Sequence, residues 1–278
     1  TRITIQHSTI CCVNLFILLS GWFGIRANLK GGLNLLFQVF FIGLVIYIGV
    51  YATTGILPKN FKDTVLTFTS FWFVWQYFFL YVISPILNTF IESASRIQLL
   101  SVICALFAFQ IIDGLLFGFS GVFNLGYSAA SFIMLYLIAR YIRLHLGGLQ
   151  TVNKYAYLAG YITCIILPLL LLSTCLLFDI RKGFNFLVGY LSNYNNTIVI
   201  FPSLCLLLFF SKLKFKNTFI NWLAAGSFAV YLTHQNVLVR SYFKTAIIDI
   251  YNANTFVVSL AFTLLFLLLI FILSVLLE

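Results

Sequence analysis

Residues 255–277 read TFVVSLAFTLLFLLLIFILSVLL, a run of 23 residues without a single charged side chain. A helix that crosses a bilayer needs about 20 consecutive, predominantly apolar residues. Working back from this run, the chain holds eight more apolar stretches: Ile10–Ile25, Leu33–Ala52, Thr64–Ile91, Gln98–Gly118, Tyr127–Leu144, Tyr155–Phe178, Thr197–Phe210 and Trp222–Val239. The sequence therefore predicts an all-α, polytopic integral membrane helix bundle with about nine spans.

The composition excludes the other broad classes of protein. Of the 278 residues 62% are hydrophobic and 8% are charged, whereas an ordinary soluble domain carries about 25% charged residues. So few charges cannot cover a water-facing surface, which excludes a soluble globular enzyme. Intrinsic disorder is excluded as well, because it needs low hydrophobicity and high charge.

The net charge of +10 is distributed in pairs near the ends of the apolar runs. This pattern is typical of membrane topology and lipid contact and does not indicate a nucleic-acid partner. With Thr1 outside, the predicted cytoplasmic loops hold nine Lys and Arg residues and the outer loops hold seven. The positive-inside rule thus favours this orientation slightly.

Metal, disulfide and common catalytic signatures are missing from the sequence. The six cysteines all lie in apolar runs without metal-ligand spacing, so we expect neither a disulfide framework nor a metal site. Phosphate-binding glycine loops and hydrolase motifs are also missing. Six acidic residues, spread thinly, argue against a two-carboxylate glycosidase.

Tyr231, His234 and Gln235 fall within one turn of a predicted helix and are expected to share a face. A histidine near a membrane boundary can act as a general base or hold a substrate hydroxyl, with Tyr231 binding substrate beside it. The alternative is a histidine that hydrogen-bonds a neighbouring helix and fixes its packing. Both interpretations stay open at this point.

Two other polar side chains lie inside apolar runs and are candidates for substrate binding. Asp113 is the only carboxylate within a predicted span, and a buried charge in a bilayer is costly enough to indicate a wet interior or a function. Gln76 lies in an aromatic stretch, and its buried amide needs partners. The alternative for Asp113 is a position near the outer interface, since its helix ends soon after.

Arg140 and Arg143 stand three residues apart at the predicted inner end of a span, with His145 and Lys154 close behind. Guanidinium groups in this position suit phosphates, such as those of a nucleotide-bearing cofactor. The alternative is an ordinary interfacial anchor on anionic lipid.

Five segments, in order, resemble one known family. They are Asn14-Leu-Phe-Ile-Leu-Leu-Ser-Gly-Trp-Phe23, the Trp72-Phe-x-x-x-Tyr-x-x-x-Tyr-x-x-Ser-Pro85 helix, Tyr127–Arg143, Tyr194-Asn-Asn196, and Ser227-Phe-Ala-Val-Tyr-Leu-Thr-His234. Each segment is weak alone, but their order and spacing cover essentially the whole chain. The chain resembles the integral-membrane acyltransferase family 3, whose bacterial members include O-acetyltransferases.

The resemblance implies a bundle of about ten spans that transfers an acyl group, usually acetyl, from cytoplasmic acyl-CoA. The acceptor is a hydroxyl of an extracytoplasmic polysaccharide or of its lipid-linked glycan precursor. The implied location is the bacterial inner membrane, with acetyl-CoA as donor substrate and no resident cofactor. His234 is the site residue that the resemblance supports directly.

One family feature has no match here. The family's first helix carries an Arg and, about ten residues later, a His, whereas Arg2 and His7 are five residues apart and precede the first predicted span. The catalytic histidine is therefore not assigned to His7. The odd number of predicted spans and the absence of an initiator Met also favour a missing first helix. We expect residues 1–278 to form one acyltransferase domain that lacks its first helix.

Two other classes remain possible from the sequence. A transporter or flippase for a small molecule or lipid-linked glycan would line its path with Gln76, Gln110 and Asp113 and would not depend on acyl-CoA. A catalytically inactive relative would bind glycan or partners only.

Overall fold

A computed structural model describes residues 6–7, 9–57, 61, 65, 71–117, 121–214 and 216–277 of the chain. Within these ranges the chain forms twelve α-helices and no strand. The helices are α1 (Cys11–Phe23), α2 (Leu29–Thr54), α3 (Trp72–Ser93), α4 (Arg96–Phe117), α5 (Ala129–His145), α6 (Lys154–Leu177), α7 (Arg181–Leu191), α8 (Thr197–Ser211), α9 (Thr218–Ala225), α10 (Ser227–Gln235), α11 (Val237–Ala253) and α12 (Phe256–Leu276). The all-α prediction is confirmed.

Five helices in the described part are long and apolar enough to cross a membrane. They are Leu29–Thr54, Trp72–Ser93, Arg96–Gly114, Lys154–Leu177 and Phe256–Leu276. Cys11–Phe23 and Thr197–Ser211 are apolar but shorter, and α5 has 17 residues. The predicted number of nine spans is thus not confirmed.

The predicted span Trp222–Val239 is not one helix. It is divided at Gly226 and at Asn236, so that α9, α10 and the start of α11 share its length. Glycine has a poor helix propensity, and the Asn236 side chain accepts from the backbone N–H of Leu238 to start a new helix. The apolar composition of the run does not reveal these two breaks.

Asparagine and serine start several of the helices. The side chains of Asn28, Ser128, Asn153 and Asn217 each accept a hydrogen bond from a backbone N–H in the first turn that follows. These oxygens satisfy amide donors that have no partner within the helix. The local sequence therefore determines where α2, α5, α6 and α9 begin.

The chain divides into two compact units, which we describe separately. Unit 1 contains Thr1–Ala27 and Gln76–Lys214, and unit 2 contains Asn28–Trp75 and Phe215–Glu278. The boundary falls within α3, between Trp75 and Gln76.

Unit 1 is built on close contacts of the short helix α1 with α5 and α8, while α8 also packs on α6. Gly21 makes the closest of these approaches. A Cβ atom at Gly21 would lie 2.7 Å from the carbonyl oxygen of Tyr136 and 2.9 Å from the Cβ of Ala139. Small residues allow membrane helices to approach each other this closely. Gly21 is therefore a packing requirement of the α1–α5 contact.

The core of unit 2 is formed by one face of α2, the beginning of α3 and the helix α10. Its buried members are Val39, Ile42, Ile46, Phe71, Val74, Ala229 and Leu232. Tyr231 packs against this cluster from α10.

Candidate functional site

The basic side chains of unit 1 gather at one end of its helices. Of its nine described Lys and Arg residues, seven lie where α1, α5 and α8 end and where α4 and α6 begin: Arg26, Arg96, Arg140, Arg143, Lys154, Lys212 and Lys214. Arg96 Nε donates to the Tyr141 hydroxyl at 3.3 Å, and Lys212 Nζ donates to the Gln150 carbonyl at 2.8 Å. We call this region the basic end.

The two remaining cations, Arg181 and Lys182, lie beyond the opposite end of α6. Among the described residues of unit 1 the ratio is thus seven against two, whereas the ratio of nine against seven covers the whole sequence, with Arg2 and unit 2 included. The positive-inside rule then favours a cytoplasmic location for the basic end.

Arg143 and Arg140 both contact the end of α1. Arg143 Nη1 donates to the carbonyl of Trp22, and its guanidinium carbon lies 5.5 Å from the ring centres of both Trp22 and Phe23. Arg140 Nη1 lies beside Gly24, 3.2 Å from where a Cβ atom would be. Its buried Nε has no hydrogen-bond partner among the described residues. Arg143 thus anchors α1, while the Nε–H of Arg140 can still donate a hydrogen bond to a ligand.

A buried hydrogen-bond network supports the two arginines. The Tyr136 hydroxyl donates to Asn88 Oδ1 at 2.6 Å and accepts from the backbone N–H of Ile25 at 3.0 Å. Asn88 Nδ2 in turn donates to the Ile25 carbonyl at 2.8 Å. The network ties the segment after α1 to α3 and α5 and so fixes the backbone on which Arg140 and Arg143 rest.

At the opposite end of unit 1, Asp113 holds a loop. Its carboxylate, in a residue only 3% exposed, accepts from the backbone N–H groups of Val122 at 3.0 Å and of Phe123 at 3.1 Å. A Cβ atom on Gly121 would lie 2.0 Å from Asp113 Oδ1. Both carboxylate oxygens are used by the backbone, which favours a structural role for Asp113 over the substrate contact predicted from sequence.

A second loop, residues 192–196, lies at the same end and is contacted by uncharged polar side chains. We call the region of the two loops the polar end. Gln110 Nε2 donates to the Asn195 carbonyl at 2.9 Å, and Asn14 Nδ2 donates to the Tyr194 carbonyl at 2.7 Å. The rings of Tyr127 and Tyr194 meet edge to face, 5.0 Å between centres. The loop of residues 192–196 is thereby fixed to α1 and α4.

Gln76 is half-buried in α3, next to Tyr77, whose hydroxyl lies 3.2 Å from Ser20 Oγ. Within the described part of the chain no hydrogen bond joins Gln76 to Asp113. These two predicted substrate contacts are therefore not joined directly in the structure.

In unit 2, His234 and Tyr231 do lie together. Their rings are edge to face with centres 5.9 Å apart, as the spacing of three residues predicts. His234 Nδ1 is 2.7 Å from the Val230 carbonyl, and Nε2 is 3.1 Å from the side-chain nitrogen of Gln235. Because a carbonyl oxygen only accepts, Nδ1 carries the proton, and the Nε2 lone pair accepts from Gln235. That lone pair is the basic atom of the ring.

His7 is 4% exposed, and its Nε2 donates to the Cys164 carbonyl at 3.1 Å. Arg2, the other residue compared with the family's first-helix pattern, lies outside the described residues. All six cysteines are free, and the described residues contain no group of three metal-binding side chains.

A family model described as "Acyltransferase domain", that of acyltransferase family 3, matches residues 5–278. The chain belongs to acyltransferase family 3. No curated protein and no solved structure matches it. The family and the apolar helices together make this chain an integral membrane protein of an acyl-transferring kind.

Sequence reasoning missed two parts of this acyltransferase. The hydrogen bond between Tyr136 and Asn88 was missed because the two residues are 48 positions apart. Each is also a common type of residue in an apolar helix. The Gln110–Asn195 contact was missed because its partners lie 85 residues apart. A polar amide within an otherwise apolar run was the only local signal in either case.

Proposed function

We propose that this acyltransferase takes an acyl group, expected to be acetyl, from cytoplasmic acyl-CoA and transfers it to a hydroxyl of an extracytoplasmic polysaccharide or lipid-linked glycan. The proposed location is the bacterial inner membrane, which the chain crosses several times. The observation that carries the proposal is the charge asymmetry among the described residues of unit 1, with seven cations at one end and two at the other. It supports a cytoplasmic side that attracts a polyanionic donor.

The donor is proposed to bind through its phosphates at the basic end. Arg140 presents a buried Nε without a partner among the described side chains, and guanidinium groups bind phosphate oxygens through several N–H donors. Arg143 is held by the Trp22 carbonyl and by two aromatic rings, so its contribution is positive potential and a fixed α1. Acyl-CoA is a substrate here, and the proposal includes no resident cofactor and no metal.

His234 is proposed as the general base for the acceptor. Its Nε2 lone pair takes the proton of the sugar hydroxyl once the Gln235 amide moves aside. The sugar oxygen then forms the ester bond to the acyl carbon while the bond from that carbon to the CoA sulfur breaks. The proton passes to the leaving thiolate, which restores neutral His234. Tyr231, 5.9 Å away between ring centres, is proposed to contact the acceptor.

Gln76 is retained as a proposed acceptor contact because it is half-buried. Asp113 is left out, because its two oxygens already bind the backbone of the loop.

The base assignment is tested by transfer of labelled acetyl from acetyl-CoA in membranes that contain the full-length protein. His234→Ala should lower transfer by about 100-fold, since a positioned acid or base typically contributes about 100- to 10,000-fold. The matched control is Thr233→Val, because Thr233 also bonds the carbonyl four residues earlier in the same helix. Transfer by His234→Ala within about twofold of wild type would return His234 to a packing role.

The same assay tests the donor site. Arg140→Gln should raise the KM for acetyl-CoA about tenfold, the effect expected from losing one charge-assisted hydrogen bond. Arg181→Gln, a change at an exposed cation near the opposite end of α6, is the control. An unchanged KM would make Arg140 a lipid anchor. A wild-type protein that needs no acyl-CoA would favour the transporter alternative.

A further inference from the structure

The loops at the polar end lie well inside the length of the neighbouring helix α4. Gln110, which contacts the carbonyl of Asn195, is seven residues before the end of α4 at Phe117, or about 10 Å along the helix axis. The helices α1, α5 and α8 have 13, 17 and 15 residues. At about 1.5 Å per residue each is shorter than the roughly 30 Å hydrocarbon core of a bilayer. From these lengths we expect irregular backbone to lie at membrane depth.

Non-helical backbone at this depth is tolerated only where protein surrounds it or where it lines a wet cavity. Several polar groups in the described parts of the two loops, residues 121–128 and 192–196, have protein partners. Asp113 accepts from two loop amides, and Ser131 Oγ donates to the Phe123 carbonyl at 3.2 Å. Gln110 and Asn14 donate to the carbonyls of Asn195 and Tyr194.

Two buried oxygen atoms in this region lack a partner among the described residues: Gln110 Oε1 and Asn195 Oδ1. Asn195 is only 7% exposed. Exchanging the oxygen and nitrogen of the Gln110 amide does not give Oε1 a partner. The Asn195 carbonyl only accepts, so the Gln110 nitrogen must face it. A buried acceptor without a hydrogen bond costs free energy. Both atoms can accept a hydrogen bond from a ligand that carries donor groups.

The chemistry around the two oxygens selects the kind of donor. Amide oxygens only accept, so a phosphate or carboxylate ligand brings nothing that they can bind. The Tyr127 and Tyr194 rings lie beside the same loop, and aromatic faces pack against apolar ring surfaces. A sugar ring combines several hydroxyl donors with apolar C–H faces. It therefore matches both features.

We infer that Gln110 and Asn195, beside Tyr127 and Tyr194, form a binding site for the hydroxyl groups of a sugar. In identifying that sugar as the acyl acceptor the inference rests on the proposed function, whereas sugar binding itself does not. Gln110 Oε1 and Asn195 Oδ1 accept from two hydroxyls, and the site lies at the end of unit 1 opposite the basic end.

The binding test uses the full-length protein in lipid nanodiscs and saturation-transfer NMR, which detects weak ligands. The probes are the methyl glycosides of glucose, galactose and N-acetylglucosamine. The control ligand is permethylated methyl glucoside, which keeps the ring but has no hydroxyl donor. At least one hydroxylated glycoside should bind and the permethylated one should not. Equal signals from both, or no signal from any glycoside, would overturn the inference without any variant.

Variants then locate the site. Asn195→Leu and Gln110→Met remove the acceptors at similar volume, and each should weaken glycoside binding about tenfold. Ser203→Ala is the control, because Ser203 is a buried polar residue of the same unit whose hydroxyl bonds the backbone carbonyls of Cys11 and Val199. Unfolding midpoints without ligand identify any variant that fails to fold. Unchanged glycoside affinity in both folded variants would refute the site.

The transfer assay separates this inference from the proposed function. If wild-type protein binds a glycoside but transfers nothing from acetyl-CoA, the proposed function fails and the sugar site stands. If transfer occurs and the two variants raise the acceptor KM with the acetyl-CoA KM unchanged, both stand. If the variants leave the acceptor KM unchanged, the sugar site fails while the enzyme assignment stands.

Discussion

The basic end and the polar end of unit 1 are built from the same helices with opposite chemistry. At the basic end, cations are held by backbone carbonyls and aromatic rings, as in the contact of Arg143 with Trp22. At the polar end, amide side chains hold loop carbonyls, and the buried carboxylate of Asp113 binds two backbone N–H groups.

This difference follows from where water is available. Arginine and lysine can lie at a bilayer surface with their charged groups hydrated, and the asymmetry of their number determines orientation. Loops folded at membrane depth have no bulk water, so nearly every polar atom must find a partner in the protein. The basic end is therefore expected to tolerate change, and the polar end is not.

The largest expected difference between the two ends is the side of the membrane on which each lies. A cysteine at either end is labelled from outside the cell or it is not. Gly148 at the basic end and Gly189 in α7 both have open space where a side chain would begin. With the native protein as reference, Gly189→Cys should react with a membrane-impermeant maleimide added outside intact cells, and Gly148→Cys should react only after permeabilisation. The opposite pattern would reverse the orientation and with it the proposed side for acyl-CoA.

Replacing a glycine by alanine should affect stability very differently at the two ends. Gly121→Ala places a methyl group 2.0 Å from Asp113 Oδ1, and we expect a loss of about 3 kcal/mol, at the upper part of the range for overpacking. Gly148→Ala meets nothing within 4 Å and should change stability by less than about 0.5 kcal/mol. Unfolding midpoints in detergent measure both, and equal midpoints would mean that Asp113 does not hold the loop.

The basic end is held by the hydrogen-bond network of Tyr136, Asn88 and Ile25. Losing a part of this network should lower stability by less than Gly121→Ala does. Tyr136→Phe removes a hydroxyl that bonds Asn88 and the buried N–H of Ile25. We expect a loss of about 2 kcal/mol, because an unsatisfied buried group costs about 1–3 kcal/mol. Tyr155→Phe, at an exposed tyrosine of α6, is the control. If both variants unfold at the same midpoint, the Tyr136 network does not stabilise this end.

Part of this architecture could be read from local patterns. The apolar runs predicted α2, α4, α6 and α12 within a few residues, because each lies in a bilayer-length stretch with at most one charged residue. The three-residue spacing predicted the contact of Tyr231 with His234, since residues at this distance share a helix face. The run Trp222–Val239 was mistaken for one span, because apolar composition does not show where Gly226 and Asn236 interrupt a helix.

The sequence by itself determined that this protein is an all-helical membrane protein of the acyltransferase kind, because composition and ordered motifs are properties of the chain alone. Only the tertiary structure decided what the isolated polar residues do. Asp113 binds amides 9 and 10 residues later, and Gln110 binds a carbonyl 85 residues away. A buried polar group acquires its role from its partners, and partners this distant are chosen by packing rather than by local sequence.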